Sequence, residues 1–580
     1  MKSESLLKVI YRFFDLIILT YLVFDFGYSV HKIYDGPKHI GLVFITISLL
    51  AFNIFKFNYY KTSGKKRIAL VNLVILSALL LISIIVFISN FDLHYLDVLI
   101  KIRPILEAGL IFYFIIRLMI LVRYIYKVYY NPAIVFVGSF FAIILIGAFL
   151  LMLPNATTSS ISFTDALFTS TSAVCVTGLI VLDTSKDFTV VGQTIIISLI
   201  QIGGLGILTF TSFFAFFFKG SSTFKEGLNV KNFIGQDTIK DVLKIALNIV
   251  IFTVSIEIIG AFFIYSSILE NPEIKDKLFF SVFHSISAFC NAGFSTMKYG
   301  LSENYMQFNY YIQWVIILLV VLGGLGYNII FNFYKYIKIY VSEFLDPKKI
   351  HKQIGIMTVN SKLVLFTTGV LLISGFTFLF FSELNNTLLK HATVFGKITT
   401  TAFNTVTPRT AGFNTLDFTE FTAPTLLFII FLMWIGASPA STGGGIKTST
   451  FALAMLNIFA TARGKSRIQI FDRRISSEST SRAFAILCIS LIVIGTSILA
   501  VLILEPKGTD LLTVVFECFS AYSTVGLSLN FTPTITEPSK YVLIITMFIG
   551  RIGMLNLMIG LLRQVNHQFY EYPKESILIN

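Results

Sequence analysis

The sequence predicts an all-α polytopic membrane protein, built from four similar helix–short helix–helix repeats in pseudo-fourfold symmetry and an N-terminal bundle of about four transmembrane helices. Composition is the first observation, because 55% hydrophobic residues, 13% charged residues and a mean hydropathy of +0.81 describe a chain that water does not dissolve. A short glycine-containing phrase that recurs four times is the second. The third is a segment before each phrase that is too short to cross a bilayer.

The recurring phrase is a small or polar run that ends in glycine and one bulky apolar residue. It reads VCVTGL, FCNAGF, PRTAGF and YSTVGL, and its glycines are 115, 119 and 114 residues apart. A second glycine-rich motif follows each phrase. Serine lies at the same offset before the glycine in three of the phrases, whereas the third phrase has Val406-Thr407 at that offset. Four matches in register indicate four homologous units. The phrase glycines are Gly178, Gly293, Gly412 and Gly526, and the later motifs are Gly203-Gly204-x-Gly206, Gly323-Gly324-x-Gly326, Gly443-Gly444-Gly445 and Gly550-Arg551-x-Gly553.

Twelve apolar stretches are long enough to be predicted as membrane spans. A helix needs about 20 residues to cross about 30 Å of hydrocarbon, and Ala133 to Leu153 has no charged residue. Four spans precede the repeats, at about 13–30, 39–57, 68–90 and 105–126, and eight lie within them. The predicted domains are an N-terminal region at 1–127 and four repeats at 128–230, 231–345, 346–475 and 476–580.

Lysine and arginine accumulate in the loops after the second helix of units one, two and three. Because cations favour the cytoplasmic side of short loops, these loops and both termini are predicted to be cytoplasmic. The net charge of +14 then follows mostly from topology, and no nucleic-acid partner is needed to explain it.

Each repeat contains a short segment that enters the membrane partway and returns. In unit one this segment is Phe163 to Ser172, between the helices Ala133 to Leu153 and Val190 to Phe218. Irregular backbone at membrane depth persists only where it lines a water-filled cavity. Carbonyl oxygens of the phrase can replace the water around a cation, and glycine permits the required dihedral angles. The short segments are therefore predicted to be pore helices that meet around a central pore.

These residues resemble the Trk/Ktr/HKT superfamily of potassium transporters, in particular the pore-forming subunits of bacterial Trk and Ktr systems. The resemblance covers about residues 130 to 565 and depends on four single-glycine filters and on RTAGFNT from Arg409 to Thr415. In relatives, serine at the first filter glycine accompanies sodium transport, whereas glycine occupies all four places here. The resemblance implies K⁺ binding by the backbone at Val176, Thr177, Gly178, Asn291, Ala292, Gly293, Thr410, Ala411, Gly412, Thr524, Val525 and Gly526.

The second helix of unit three is interrupted by GASPASTGGGIKTST, from Gly436 to Thr450. Such a break must face the pore, and family members have an intramembrane gating loop here. A glycine-rich kink that lets helices pack closely is the structural alternative. A phosphate-binding loop is disfavoured because Ile446 separates glycine from lysine. The predicted gate residues are Gly443, Gly444, Gly445, Lys447 and Arg551.

Three charged residues lie in or near membrane segments. Arg551 is the eleventh residue of a predicted 22-residue span, Tyr541 to Leu562, where a cation needs a partner. We predict that it donates to the Gly436 to Thr450 loop and holds the gate shut; the alternative is a structural contact within unit four. Arg409 is predicted to brace the pore helices. Glu257 is either a protein-facing polar partner or a coupling site for H⁺ or Na⁺.

Four cysteines, Cys175, Cys290, Cys488 and Cys518, lie in apolar or pore segments without CxxC spacing. They indicate neither a disulfide framework nor a metal site beyond K⁺. Cys175 and Cys290 occupy the second place of two filter phrases, and as small apolar groups they fit the packing behind the filter.

The predicted function is K⁺ uptake through a gated, selective pore in a bacterial plasma (inner) membrane, with K⁺ as substrate and no organic cofactor. The alternatives are Na⁺- or H⁺-coupled symport and a rocking carrier or membrane enzyme, although the sequence lacks HExxH and GxSxG motifs. The resemblance implies a homodimer and a ring of cytosolic nucleotide-binding regulatory subunits. Membrane lipids, including anionic head groups at the basic loops, are the other predicted partners.

Overall fold

The computed structural model describes residues 35–59, 63–89, 132–217, 242–345 and 357–553 apart from 273, 440, 466 and 472, and isolated positions within 13–27 and 105–113. The basic loop after unit one, most of the fourth predicted span and both termini lie outside the described residues. The number of spans, the orientation and the domain boundaries therefore remain predictions.

Two N-terminal helices, α1 (Asp35–Tyr59) and α2 (Ser63–Ser89), overlap the second and third predicted spans. The amide of Asn72 donates to the side-chain oxygen of Asn53 at 3.4 Å, a polar contact between the two helices. Leucines of both helices also pack against residues of the first and fourth predicted spans. That cluster contains Ile18, Leu42, Leu49, Leu76, Leu106, Leu110 and Tyr113.

The four repeats follow one plan, in which a long helix, a short helix and a second helix succeed one another. Unit one comprises α3 (Pro132–Leu151), α4 (Phe163–Val174) and α5 (Val190–Phe217), and unit two comprises α6 (Val242–Ser267), α7 (Lys277–Phe289), the turn α8 (Asn304–Gln307), α9 (Tyr310–Leu325) and α10 (Tyr327–Leu345). Unit three comprises α11 (Val359–Glu383), α12 (Val394–Val406), α13 (Ala423–Trp434) and α14 (Thr448–Ala462). A two-stranded hairpin, β1 (Gln469–Ile470) and β2 (Arg473–Arg474), leads to unit four with α15 (Ser477–Leu504), α16 (Leu511–Ser523) and α17 (Glu537–Ile552).

Each short helix starts at a side-chain cap. Ser162, Asp276, Thr393 and Asp510 each accept a hydrogen bond from the backbone N–H three residues later, which satisfies a donor that the first helical turn leaves free. The helices then run for 12, 13, 13 and 13 residues. Because about 20 residues are needed to cross a bilayer, these helices are too short to span it, as the sequence predicted.

The second helices break where the glycine-rich motifs lie. Gly206, Gly326 and Gly553 have φ angles of 69°, 76° and 81°, values that L-residues with side chains rarely adopt. The predicted continuous spans therefore need correction. The unit-two pieces Tyr310–Leu325 and Ile329–Ser342 meet at 100°, and α17 ends at Ile552, so that Arg551 lies in its last turn rather than at mid-helix.

The third glycine-rich motif is not equivalent to the others. Gly203, Gly323 and Gly550 each pack against the carbonyl oxygen four residues before their own phrase glycine, where an added methyl group would lie only 1.8 to 2.0 Å away. Gly443 packs instead on Thr410, and α13 already ends at Trp434. Unit three contains an extra loop, residues 435–447. Because of this loop, Gly443-Gly444-Gly445 does not occupy the position that the glycine-rich motifs of the other three units occupy.

Polar contacts join the units in cyclic order. They are Gln201 Nε2 to Glu257 Oε2 at 3.0 Å between units one and two, Trp314 Nε1 to Thr399 Oγ1 at 3.1 Å between two and three, Trp434 Nε1 to Ser490 Oγ at 3.1 Å between three and four, and Lys540 Nζ to Asp165 Oδ1 at 2.5 Å between four and one. The last contact closes a ring.

Three unbroken helices in the described part of the chain are long and apolar enough to cross a membrane, and the bent α9–α10 pair is a fourth candidate. They are Leu247–Ser267, Val359–Glu383 and Ser477–Leu504. Large apolar side chains such as Phe262, Phe381 and Ile503 are exposed on them. Such surfaces suit contact with lipid.

Candidate functional site

The four phrase glycines meet at the centre of the ring. Each faces the carbonyl oxygen of the residue that precedes the phrase glycine in the next unit, and these approaches leave no space for a side chain. An added methyl group would lie 2.4 Å from Ala292 O at Gly178, 2.9 Å from Ala411 O at Gly293, 2.5 Å from Val525 O at Gly412 and 2.2 Å from Thr177 O at Gly526.

The backbone of every phrase adopts the same unusual conformation. The glycines have φ angles of 93°, 70°, 74° and 91°, and the residue two places earlier also has a positive φ. Those residues are Val176 (55°), Asn291 (61°), Thr410 (69°) and Thr524 (50°). A side-chain-bearing residue held in this region is strained, and such strain concentrates at functional sites.

Hydrogen bonds behind the phrases hold their backbone N–H groups away from the centre. Ser172 Oγ accepts from Gly178 N and Ser520 Oγ accepts from Gly526 N, both at 3.1 Å. In units two and three the hydroxyls of Ser287 and Thr407 instead donate to the carbonyl oxygens that follow the phrase glycines, Phe294 O at 2.8 Å and Phe413 O at 2.5 Å. Within the described chain no donor reaches the carbonyl oxygens of Thr177, Ala292, Ala411 and Val525.

A loop of unit three, residues 435–447, lies against this ring and is called the intramembrane loop below. An added methyl group on Gly443 would lie 2.2 Å from Thr410 Oγ1, and one on Gly444 would lie 2.1 Å from Thr524 Oγ1. Gly445 packs on Ser523. The loop therefore contacts the phrases of units three and four directly.

Backbone and hydroxyl groups anchor the intramembrane loop to unit two. The N–H of Ser438 donates to Gly324 O at 3.0 Å, and the Thr442 hydroxyl donates to Phe289 O at 3.2 Å. Arg409 Nη2 donates to Gly436 O at 3.1 Å. Arg409 therefore holds the start of the loop, whereas its predicted role was to brace the pore helices.

Arg551 links the intramembrane loop to unit one. Its Nη1 donates to Thr442 O, and its Nη2 donates to Gly203 O at 2.6 Å. The predicted contact with the loop is present, and the alternative of a contact confined to unit four is wrong. Lys447 Nζ donates to Gly443 O at 2.6 Å, so the second predicted cation stabilises the loop internally.

Comparison with known proteins agrees with this geometry. The family model of TrkH, described as a cation transport protein, matches residues 126–570. The chain belongs to the TrkH family.

Relatives of this TrkH-family protein are similar over nearly their whole length. The Ktr system potassium uptake protein B of Bacillus subtilis is 38% identical over 431 residues, which are 73% of this chain and 92% of that protein. The potassium/sodium uptake protein NtpJ of Enterococcus hirae is 35% identical over 457 residues, 77% of this chain and 97% of the relative. The crystal structure of the potassium transporter TrkH from Vibrio parahaemolyticus, 17% identical, covers 85% of this chain and 98% of its own, with a TM-score of 0.58. It shows a shared fold.

Behind the second phrase, this TrkH-family chain buries a carboxyl group. Glu257 Oε2 accepts from Gln201 Nε2 at 3.0 Å, and the Cys290 sulfur lies 3.8 Å from Glu257 Oε1. Glu257 therefore faces protein, which agrees with one of the two alternatives from the sequence. Cys290 and Cys175 are buried free thiols at the C-terminal caps of α7 and α4.

The short helices contain further polar residues that were not predicted as part of the site. His284 Nε2 lies 2.8 Å from Ser295 Oγ, Asn404 Nδ2 donates to Thr415 Oγ1 at 3.3 Å, and the Thr532 hydroxyl donates to Glu517. Each short-helix residue precedes its phrase glycine by eight or nine positions and holds the chain that follows the phrase. Polar residues eight or nine positions before the phrase glycine, within otherwise apolar helices, were the signal available in the sequence.

Proposed function

We propose that this TrkH-family protein takes up K⁺ through a gated pore whose selectivity filter is formed by the four glycine phrases. The observation that carries the proposal is the closed cycle in which each phrase glycine packs against the carbonyl of the next unit. Such a cycle concentrates carbonyl oxygens around one axis. The cargo is K⁺ itself, and the chain needs no organic cofactor for this chemistry.

Three features support cation coordination at the cycle. The carbonyls before the glycines receive no hydrogen bond from the described chain, so their lone pairs are free for an ion. Backbone carbonyls replace the hydration shell of K⁺ in selective filters. The C-terminal ends of α4, α7, α12 and α16 lead directly into the phrases, and the partial negative charge at helix C-termini favours a cation.

The intramembrane loop is the proposed gate, and Arg551 is proposed to hold it in the closed position. The loop packs against Thr410 and Thr524, which directly precede the filter carbonyls of units three and four. Arg551 joins it to unit one through Gly203. A conducting state then requires the loop to leave these contacts, and Lys447 moves with it.

The wider proposal follows from the family and from the names of its relatives. We place the chain in a bacterial plasma membrane with both termini cytoplasmic, as a homodimer on a ring of nucleotide-binding regulatory subunits. A relative is named as part of a Ktr system, which supports control by further subunits.

Rescue of a bacterial strain that lacks its own K⁺ uptake tests the proposal. The wild-type chain is expected to restore growth at low external K⁺ and to mediate Rb⁺ influx. Gly293→Ser, which forces a side chain against Gly412 and Ala411, is expected to lose selectivity for K⁺ over Na⁺ or to stop transport. No rescue despite membrane insertion would favour a carrier or enzyme instead.

A further inference from the structure

The third phrase has a cation where the other three phrases have an uncharged side chain. Arg409 lies three residues before Gly412, and the corresponding residues of the other units are Cys175, Cys290 and Ser523. Arg409 is only 8% exposed. Because the other units form the same turn with a positive φ two places before the glycine, the backbone of the phrase does not require a cation at this position.

Part of the Arg409 guanidinium lacks an acceptor. Its Nη2 donates to Gly436 O at 3.1 Å, but no acceptor in the described chain reaches the buried Nη1. Among the described residues, no carboxylate lies within ion-pair distance of Arg409. A buried charge without a counter-charge is costly, and arginine stays protonated in proteins. A ligand that carries negative charge would remove this cost.

A small cavity lies beside Arg409, between units two and three. Its volume is about 20 Å³, and its walls come from α9, α11, the third phrase and the intramembrane loop. Apolar residues such as Val320, Leu372 and Ala437 form most of the walls, and Arg409 and Thr368 are the polar lining residues. Thr368 Oγ1 is buried and has no partner within the described residues. A guanidinium and a hydroxyl, both incompletely paired, therefore border one space that no acidic side chain lines.

The charge and size of the cavity define its occupant. Donors that lack an acceptor favour a ligand that accepts hydrogen bonds, and the positive charge of Arg409 favours an anion. A volume of about 20 Å³ is close to the minimum that one water molecule needs, so phosphate and carboxylate groups are too large. A water molecule fits but leaves the charge of Arg409 uncompensated. A single-atom anion meets all of these conditions.

We propose that Arg409 and Thr368 bind one halide ion, chloride under ordinary conditions. Arg409 Nη1 and the Thr368 hydroxyl donate to the ion, while Arg409 Nη2 keeps its bond to Gly436 O. Because the ion compensates the guanidinium inside the protein, it holds Arg409 in place and stabilises the start of the intramembrane loop.

Thermal unfolding of the full chain in detergent tests this site. The probe is chloride or bromide, added to protein in sodium gluconate at constant ionic strength. We expect the unfolding temperature to rise and to saturate with halide concentration, because a ligand that binds only the folded state stabilises it. Thr368→Val should weaken the apparent affinity roughly tenfold, the usual effect of one hydrogen bond to a charged group. Arg409→Gln should abolish the response, and Arg409→Lys, which keeps the charge, should retain part of it.

The matched control is Thr367→Val. Thr367 is the neighbour of Thr368 on α11, but its hydroxyl donates to Leu363 O at 2.8 Å and it does not line the cavity. Thr367→Val should keep the wild-type halide response. This pair of variants separates loss of the ion from a general loss of stability, which Arg409→Gln by itself does not, since that variant also loses the bond to Gly436.

Crystals of the full chain soaked in bromide locate the ion by its anomalous scattering. We expect a peak between Arg409 Nη1 and Thr368 Oγ1. A cavity that holds water and no bromide overturns the site. A peak without saturable stabilisation in solution means binding at crystal concentration only and also overturns it. A halide response that Thr368→Val leaves unchanged assigns the effect to another part of the chain.

Amide hydrogen exchange across residues 435–447 measures the effect on the intramembrane loop. Exchange should be slower in chloride than in gluconate by roughly fivefold or more, and Thr368→Val should reduce this difference. Equal exchange in the two salts, in protein that binds the ion, would contradict the stabilisation of the loop. None of these measurements needs transport, so a failure of the proposed K⁺ uptake would leave the anion site standing, and a failure of the anion site would leave the pore.

Discussion

Gly526 packs so closely on Thr177 that a methyl group on its α-carbon would lie 2.2 Å from the Thr177 carbonyl oxygen. The two residues belong to the last and the first unit. Their contact is the one that turns four consecutive units into a closed cycle. Closure of the ring therefore requires that position 526 has no side chain, and the positive φ of its backbone favours glycine as well.

We expect Gly526→Ala to reduce Rb⁺ influx by at least about tenfold, the effect of roughly 1.4 kcal/mol on a barrier. The added methyl group must displace the Thr177 carbonyl or the backbone of Gly178. Gly508→Ala is the control for backbone strain, because Gly508 also has a positive φ, 108°, but nothing lies within 4 Å. Equal losses in the two variants would contradict the steric explanation.

Arg551→Ala is expected to raise basal K⁺ flux by roughly fivefold or more, because the intramembrane loop loses its bond to unit one. Flux in proteoliposomes without regulatory subunits is the measurement. Arg482→Ala is the matched control, since Arg482 is exposed and pairs with Glu478 on the same helix. Unchanged basal uptake in Arg551→Ala would remove the gating role.

Gly444→Ala should also raise basal flux, by a steric route. Its methyl group would lie 2.1 Å from Thr524 Oγ1, which pushes the intramembrane loop away from the filter phrase of unit four. Gly369→Ala, with nothing within 4 Å, controls for the general cost of adding a methyl group. A fall in flux with unchanged expression would instead mean that the displaced loop still blocks the pore.

The ion pair of Asp165 and Lys540 should stabilise the closed ring. The side chains of Asp165 and Lys540 are only 18% and 14% exposed, and their charged atoms lie 2.5 Å apart. A second contact, between the hydroxyls of Thr164 and Tyr541 at 3.0 Å, lies beside this pair. We expect a double-mutant cycle on thermal unfolding in detergent to give a coupling of about 1 kcal/mol or more.

The exposed pair of Glu478 and Arg482, 72% and 66% accessible, is the comparison for that cycle. Its coupling should be about 0.5 kcal/mol or less, because water and salt screen exposed charges. Similar couplings in the two pairs would show that closure of the ring adds no stability to the buried one.

Several features could be predicted because they depend on short stretches of chain. A short helix was expected to start at Phe163, and α4 does. The contact of Arg551 with the loop was predicted because a cation within an apolar helix needs acceptors, and the glycine-rich interruption was a flexible source of them.

Other features depend on neighbours distant in the sequence. Thr407 rather than Val406 contacts the third phrase, where α12 ends six residues before its glycine while the other short helices end three or four residues before theirs. Arg409 contacts Gly436 because the loop of unit three folds back under its own phrase. Spacing alone could not separate these arrangements.

The membrane setting, the fourfold repetition and the positions that need glycine could all be predicted from the amino-acid sequence, because hydropathy, repeated motifs and the conformational freedom of glycine are properties of short stretches of chain. Tertiary structure alone decided which carbonyl each glycine faces, where the second helices break and what surrounds Glu257. Those outcomes depend on how surfaces hundreds of residues apart exclude one another and share hydrogen bonds, and no short stretch of sequence contains that information.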